Sequence, residues 1–178
     1  MNLFKIVSEP MDGIKVIEST VFPDNRGSFL VTFLQDEFAE LGLPPFVRQM
    51  RTHSESGVLR GLHFQTDPPM GKLIEVVKGD VFLVAVDVRP DSPTFLQSHT
   101  MCLTERERVM VWADAGFARG YFAYENSIVQ YSTDAYVGEE QAVAWDDSDI
   151  GILWPTATPI LSKKDQQAPT AGMLWRQD

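Results

Sequence analysis

The side chains best suited to acid–base and anion chemistry lie in one central stretch of the chain. Residues 48–72 contain two of the three histidines, His53 and His63, and only two carboxylates. The same stretch holds four cationic side chains: Arg48, Arg51, Arg60 and Lys72. An imidazole among cations can accept a proton from a substrate whose negative charge the cations bind. The pattern also fits a solvated strand edge with scattered charges, so both interpretations stay open.

His63 lies in the segment VLRGLHF, between Leu62 and Phe64. If these two apolar residues face the hydrophobic layer, strict alternation along a strand sends Arg60 and His63 to opposite faces. A bulge at Gly61 brings them to one face, and glycine inside a strand often marks such a bulge. A lone histidine in an apolar strand also fits a hydrogen-bonded core residue.

Other kinds of chemistry have little support in the sequence. His53, His63 and His99 are widely separated, and two imidazoles alone make a poor metal site. The single Cys102 has no neighbouring histidine and cannot form an internal disulfide. No G-x-S-x-G, phosphate-loop or dinucleotide motif occurs. We therefore expect acid–base chemistry without a metal or another cofactor.

The composition limits the class of protein. The 178 residues include 15 Lys and Arg against 25 Asp and Glu, a net charge of −10, which disfavours a protein that coats nucleic acid or an anionic membrane. No apolar run approaches the roughly 20 residues of a membrane span. The first ten residues include Pro and Glu, where a secretory signal is apolar. We expect one cytoplasmic domain that covers residues 1–178.

Short β-type runs separated by turn residues follow one another along the chain. They cover residues 14–19, 28–33, 46–51, 72–77, 81–88, 108–112 and 128–133. With eleven Pro and twelve Gly, this pattern predicts an all-β barrel or a double-sheet jelly roll. We expect the proline-rich chain from about residue 155 to wrap the barrel as a tail.

Four local features add detail to this architecture. KLIEVV-KGD-VFLVAVDV predicts a β-hairpin with Gly79 in its turn. Its second run is apolar on both faces up to Asp87, which is typical of a strand between two packed layers. Residues 35–41 (QDEFAEL) have helical spacing and predict a short helix. Residues 162–167 predict another short helix, with Ser162 as its N-cap.

Six segments together resemble the dTDP-4-dehydrorhamnose 3,5-epimerases, which are cofactor-free sugar-nucleotide epimerases of the cupin class. In the family's order they are PDNRGSF, VLRGLHFQ, KLIEVVKGDVFLVAVDVRPDSPTF, GFARGY, WDDSDIGILWP and LSKKDQQAP. The resemblance runs from about residue 10 to residue 170. It implies a cupin-type double-stranded β-helix, a jelly-roll barrel with a few short helices, in a homodimer that exchanges N-terminal strands.

The resemblance also implies roles in a reaction on a nucleotide-linked 4-keto-6-deoxy sugar. His63 is the expected general base, Asp165 its carboxylate partner, and Tyr131 the acid on the opposite face of the sugar. The C4 ketone acidifies the hydrogens on C3 and C5, so a base forms an enolate and a donor returns a proton from the other face. Lys72 is the expected cation for the enolate oxygen. The implied reaction converts dTDP-4-dehydro-6-deoxy-D-glucose to dTDP-4-dehydro-L-rhamnose.

A further set of residues is expected to bind this substrate. Arg26 matches a contact to the diphosphate, Tyr136 is expected to stack on the thymine, and Glu140 matches an acidic contact to the nucleotide. Arg60 and Lys72 support binding at the sugar. Lys164 matches a family binding position, although Lys164, Phe29 and Tyr121 also fit core or rim positions.

The sequence departs from the family at several recognition positions. GFARGY replaces the family's GFAHGF, so Arg119 stands where a histidine usually helps to hold the substrate, and it is able to bind a phosphate or the enolate oxygen. Val31 replaces an acidic contact, and residues 48–51 (RQMR) replace Gln-Asp-Asn-His. Three alternatives therefore stay open: a mono-epimerase acting at C3 or C5 of a related sugar nucleotide, a catalytically silent sugar-nucleotide-binding cupin, and a metal-dependent cupin.

Overall fold

The polypeptide folds into two antiparallel β-sheets that face each other, as a computed structural model describes for residues 2–175. The elements in chain order are β1 (Phe4–Met11), β2 (Ile14–Ser19), β3 (Val21–Asp24), β4 (Gly27–Leu30), α1 (Gln35–Glu40), β5 (Arg48–Ser54), β6 (Leu59–Asp67), β7 (Lys72–Lys78), β8 (Asp80–Asp87), β9 (Ser98–Thr104), β10 (Val109–Ala113), β11 (Phe117–Ala123), β12 (Ser127–Thr133), β13 (Glu139–Ala142), α2 (Lys163–Gln166) and α3 (Ala171–Trp175). Within this part of the chain, no helix is long and apolar enough to cross a membrane.

The strand order explains how two sheets enclose one cavity. Sheet one runs β1-β2-β10-β7-β12-β5, and sheet two runs β13-β6-β11-β8-β9. From β5 to β8 and from β9 to β13, successive strands alternate between the two sheets, which is the arrangement of a jelly roll. Among the described strands, β3 and β4 pair only with each other, as a separate two-stranded ribbon. The predicted all-β jelly roll with a few short helices is confirmed.

The hairpin predicted around Gly79 is wrong. β7 pairs with β10 and β12 in sheet one, whereas β8 pairs with β9 and β11 in sheet two. The turn therefore carries the chain from one sheet to the other. Gly79 has a φ of +81°, and a Cβ there would lie 2.5 Å from the Ser127 hydroxyl, so the corner requires glycine. The hairpin was predicted wrongly because apolar alternation does not indicate which strand is the neighbour in the sheet.

The prediction that β8 lies between two apolar layers is confirmed. Val81, Leu83 and Ala85 belong to the cluster between the sheets. Val84 and Val86 face the other way, into a cluster that the C-terminal chain covers. Both faces of β8 are therefore buried, and its backbone pairs with β9 on one side and β11 on the other.

The C-terminal chain packs against the outside of sheet two. Trp154 lies against Phe82, with ring centroids 5.8 Å apart, and Trp175 lies 5.8 Å from the Phe64 ring. Asp147 accepts the backbone N–H of Ala171 at 2.7 Å and so fixes the start of α3. The single-domain prediction remains a prediction, and residues 1 and 176–178 of it lie outside the described residues.

The two helices expected from sequence are present. The helix predicted over residues 35–41 is α1, which buries Phe38 among aromatic side chains on the outer face of sheet one. The helix predicted over residues 162–167 is α2, where the Ser162 hydroxyl accepts the Asp165 N–H at 3.1 Å and caps the helix. This cap places the Asp165 carboxylate beside β6.

Candidate active site

A bulge at Gly61 decides which side chains of β6 enter the space between the sheets. On β11, Arg119 and Tyr121 are two residues apart, but their partners on β6, His63 and Arg60, are three apart. Gly61 has a φ of +120°, and a Cβ there would lie 2.6 Å from the Cα of Gly120. The extra residue turns Arg60 and His63 to the same side, so the predicted bulge is confirmed.

The cavity that these residues line has a volume of about 230 Å³ and walls from both sheets. Sheet two contributes Arg60, His63, Leu83, Arg119, Gly120, Tyr121 and Glu140. Sheet one contributes Met50, Thr52, Lys72 and Tyr131. Ser162 and Asp165 close one side from α2 and its cap.

His63 and Asp165 form a buried hydrogen-bonded pair. Nε2 of His63 lies 2.6 Å from Oδ1 of Asp165, and the carboxylate is 4% exposed. Burial by itself raises the pKa of Asp165, but hydrogen bonds from His63 and Ser162 outweigh it, so the pKa is lower than usual. An ionised carboxylate that accepts the Nε2 proton leaves the Nδ1 lone pair free, and Nδ1 is then the atom that can take a substrate proton.

Tyr131 and Lys72 stand on the opposite wall. Burial raises the pKa of the Tyr131 phenol far above its ordinary value, and the neighbouring Tyr121 adds to this effect. Tyr131 therefore keeps its proton until a strong base forms next to it. The ammonium of Lys72 lies 5.9 Å from the Tyr131 ring centroid. Burial, together with the nearby charge of Arg119, lowers the pKa of Lys72 to about 8.

Arg119 is the most deeply buried cation of the cavity, with 5% of its surface exposed. Its Nη2 donates to the carbonyl oxygens of Met70 at 2.8 Å and Ala113 at 2.9 Å, and also to that of Asp114. Within residues 2–175, no acceptor faces its buried Nε and Nη1. Burial lowers the pKa of this guanidinium to about 10, which still leaves it charged at neutral pH.

Glu140 and Lys164 form an ion pair at the edge of the cavity. Lys164 Nζ lies 2.5 Å from Oε2 of Glu140, and the other Glu140 oxygen lies 3.9 Å from His63 Nδ1. Burial opposes ionisation of Glu140, but Lys164 and His63 lower its pKa overall. Glu140 lines the cavity, whereas Lys164 reaches it only through this pair.

Two of the expected binding residues lie away from the cavity. Arg26 sits in the turn of the β3–β4 ribbon, with its side chain 84% exposed and paired with Asp24 at 2.6 Å. Tyr136 lies between β12 and β13 and is 68% exposed. Neither side chain lines the cavity of its own chain.

A network of hydroxyl groups in the cavity wall near Tyr131, the expected acid, was not predicted from the sequence. The Tyr121 hydroxyl lies 2.9 Å from Thr52 Oγ1 and 2.7 Å from Ser54 Oγ, and Arg60 Nε donates to the same serine at 2.9 Å. The prediction that Tyr121 is a core residue is right for its ring, which is 1% exposed. The position of its hydroxyl could have been predicted from strand alternation. Residues 119 and 121 are two apart, so they share one face of a strand, and Tyr121 lies on the same face as Arg119.

This arrangement defines an acid–base site in a jelly-roll barrel: a histidine–aspartate pair on one wall, a phenol on the other, and cations on both walls. Among the described residues, no three His, Cys, Asp or Glu side chains converge as metal ligands. The chain belongs to the dTDP-4-dehydrorhamnose 3,5-epimerase family, whose sequence model matches residues 8–172.

Known relatives agree with this assignment. The dTDP-4-dehydrorhamnose 3,5-epimerase of Methanothermobacter thermautotrophicus is 40% identical over 173 residues, or 93% of this chain and 94% of that protein. The Neisseria gonorrhoeae protein of the same name is 41% identical over 177 residues, or 97% of this chain, which spans about half (53%) of that relative's length. The Legionella pneumophila dTDP-6-deoxy-D-glucose-3,5-epimerase, solved with dTDP-4-keto-L-rhamnose, has a TM-score of 0.90 at 34% identity over 94% of this chain and 92% of that one.

Proposed function

We propose that this protein epimerises C3 and C5 of dTDP-4-dehydro-6-deoxy-D-glucose and yields dTDP-4-dehydro-L-rhamnose. Its relatives carry the name of this activity, and one was solved with a dTDP-4-keto sugar. The observation that supports the proposal best is the position of His63 and Tyr131 on facing sheets, with one cavity between them. Inversion of a carbon needs a base on one face of the sugar and a proton donor on the other, and this geometry supplies both.

The first step breaks a C–H bond next to the C4 ketone. The proton goes to Nδ1 of His63, the bonding pair forms a C=C bond, and the carbonyl π electrons move to oxygen as an enolate. Asp165 stabilises the imidazolium through Nε2. Lys72 holds a positive charge near the developing oxyanion, and a donor of this kind is worth roughly 10²–10³-fold in rate.

The second step returns a proton from the opposite face. Tyr131 gives its hydroxyl proton to the carbon, the enolate returns to a ketone, and the phenolate is left beside Lys72. Because its pKa is raised, the phenolate is a strong base that recovers a proton from solvent, while His63 loses its proton. The two residues thus return to their starting states, and the same cycle at the second carbon completes the reaction.

We further propose a cytoplasmic homodimer in which Arg26 and Tyr136 bind the nucleotide. The β3–β4 ribbon supports this idea, because it pairs with no other strand in residues 2–175 and exposes Phe22 and Phe29 on both sides of the Arg26 turn. An aromatic, cationic ribbon of this kind suits contact with a nucleotide in the cavity of a second subunit. Sedimentation equilibrium should give twice the chain mass of 20.0 kDa.

The test of the proposed activity is deuterium uptake from D₂O. With dTDP-4-dehydro-6-deoxy-D-glucose, each inverted carbon should take up one deuterium, seen by mass spectrometry and located by NMR. Uptake at C3 and C5 is the expected result. Uptake at only one carbon would establish the mono-epimerase instead, and binding without any uptake would establish the silent cupin.

A further inference from the structure

Arg119 has more hydrogen-bonding capacity than the protein uses. A guanidinium carries five N–H donors, and only those of Nη2 are engaged here, by three backbone carbonyls. Nε and Nη1 are buried, and no acceptor faces them within the described part of the chain. Buried donors without partners are costly and rare in folded proteins. Because Arg119 also lines the cavity, we expect these two nitrogens to meet an acceptor that comes with a ligand.

The surroundings of Arg119 leave its positive charge largely uncompensated. Asp134 and Asp114 are the carboxylates that favour its charged form, but neither forms a salt bridge with it in residues 2–175. Lys72, across the cavity, adds a second positive charge that repels the first. The site therefore holds one buried cation, Arg119, and one half-buried cation, Lys72, before any substrate binds, and a negative charge between them is favoured.

The position of Arg119 selects which oxygen of the substrate it meets. It pairs directly with His63 across β11 and β6, so it lies next to the base that removes the proton. In the substrate the carbonyl oxygen is attached to C4, which is bonded directly to the reacting carbons C3 and C5. The diphosphate lies farther away, beyond the sugar ring. The cations of the exposed edge, Arg26 and Lys164, suit the diphosphate end better.

We infer that Arg119 is a catalytic residue of this chain that donates from Nε and Nη1 to the C4 oxygen, so that the enolate forms between two cations, Arg119 and Lys72. This inference rests on the proposed function. The carbonyl bonds to Nη2 hold the guanidinium in place before substrate arrives, so little reorganisation is needed as charge builds on oxygen. The family pattern leads us to expect a histidine at this position, and Arg119 differs from it in carrying a permanent charge.

The central experiment is turnover by Arg119→Ala with and without added guanidinium. We expect kcat to fall roughly 10²–10³-fold. The affinity for dTDP, which lacks the sugar, should stay within about twofold, because the lost contact is to the ketone. Millimolar guanidinium should restore kcat in a saturable way, and methylammonium should not, because it lacks the planar donor set.

Two further variants keep the result interpretable if Arg119→Ala folds poorly. Arg119→His restores the family residue and one N–H donor, so its kcat should lie between those of the wild type and Arg119→Ala. Arg106→Ala, on an exposed turn, removes an arginine of equal charge and should leave kcat unchanged. Melting curves of all three variants identify any loss that is merely structural.

The outcomes separate this inference from the proposed function. If wild-type protein takes up no deuterium with any sugar nucleotide, the proposed function fails first. If wild type is active and Arg119→His and Arg119→Ala keep kcat but lose dTDP affinity, Arg119 binds phosphate and the inference is wrong. If kcat is unchanged and dTDP binds normally, Arg119 has no role in the reaction.

Discussion

The cations at the two ends of the site differ in how the protein neutralises them. At the deep end, Lys72, Arg60 and Arg119 form no salt bridge with any residue between 2 and 175. At the exposed end, Lys164 pairs with Glu140 at 2.5 Å, and Arg26, which we propose to reach this end from a second subunit, pairs with Asp24 at 2.6 Å. Between the sheets, Arg119 is buried and Lys72 and Arg60 are half-buried, whereas Arg26 lies on a turn and Lys164 on a short helix.

We expect this difference to separate catalysis from recognition. An unpaired buried cation has its full effect on a charge that develops during the reaction, because no carboxylate competes and little water screens it. A paired surface cation can only exchange one anion for another, and the net gain is small. Variants at the deep end should therefore change kcat, and variants at the exposed end should change KM.

The largest effect should come from His63. We expect His63→Ala to lower the rate of deuterium uptake by about 10²–10⁴-fold, the usual range for a positioned base. Binding of dTDP should stay unchanged, because His63 meets only the sugar. Asp165→Asn is the matched variant: it keeps the Ser162 contact but removes the charge behind the imidazole. If the His63→Ala protein kept its activity, the base would be another residue, and the comparison between the deep and the exposed end of the site would no longer hold.

A pH profile tests Lys72, whose lowered pKa of about 8 follows from burial and from Arg119. Above pH 8 the ammonium loses its proton, so kcat/KM, which reports the free protein, should decline there. Lys72→Gln should be slower by about 10²-fold and lack this decline. The charged groups that act on the ammonium are Arg119, Glu140, Arg48 and Lys164.

Arg119→His sharpens the same profile. Removing a permanent positive charge next to Lys72 should raise its pKa, so the alkaline decline should move to higher pH. A decline that stays in place in Arg119→His, or persists in Lys72→Gln, would assign it to a group other than Lys72.

Most strands were predictable because local patterns specify them, whereas the pairing of His63 with Asp165 was expected only from the resemblance to the family. Apolar runs predicted most of the strands. Gly61 predicted the bulge, which directs the side chains of Arg60 and His63 into the same cavity. The pairing of β7 and β8 was not predictable, since a run with two apolar faces fits either sheet. The observed strand ends also differ from the predicted ones: the run predicted over residues 46–51 corresponds to β5, which spans Arg48–Ser54.

The hydrogen-bond state of the site could not be predicted at all. Two nitrogens of Arg119 stay without a partner because the carbonyl oxygens near this side chain reach only Nη2 in residues 2–175. These carbonyls come from separate parts of the chain, Met70 and Ala113–Asp114. The Tyr121 network likewise depends on strand register across the cavity. Sequence distance carries no information on such contacts, whereas the register of a folded sheet does.

At the exposed end, Arg26 should affect KM. We expect Arg26→Ala to raise KM about 10-fold with kcat unchanged, as for the loss of one charge-assisted contact to phosphate. Asp24→Asn should have the opposite effect and lower KM, because it frees the guanidinium from its present partner. Initial rates over a range of substrate concentrations measure both.

Mixed dimers test whether Arg26 acts on the neighbouring subunit. Arg26→Ala and His63→Ala chains, each weak alone at low substrate, should recover activity when unfolded and refolded together, because one site per hybrid regains both residues. If mixing restores nothing although hybrids form, Arg26 acts within its own chain or not at all.

The smallest effect should come from Lys164. Its ion pair with Glu140 is about half exposed on both sides, so salt and water screen it. We expect Lys164→Met to change KM no more than about threefold at low salt, and the difference should vanish near 0.5 M NaCl, where screening lengths are only ~4 Å. The free Glu140 carboxylate then faces His63 alone, at 3.9 Å from Nδ1. A loss of kcat that survives high salt would mean that Lys164 acts with the deep cations, and the boundary between the two ends would have to move outward to include α2.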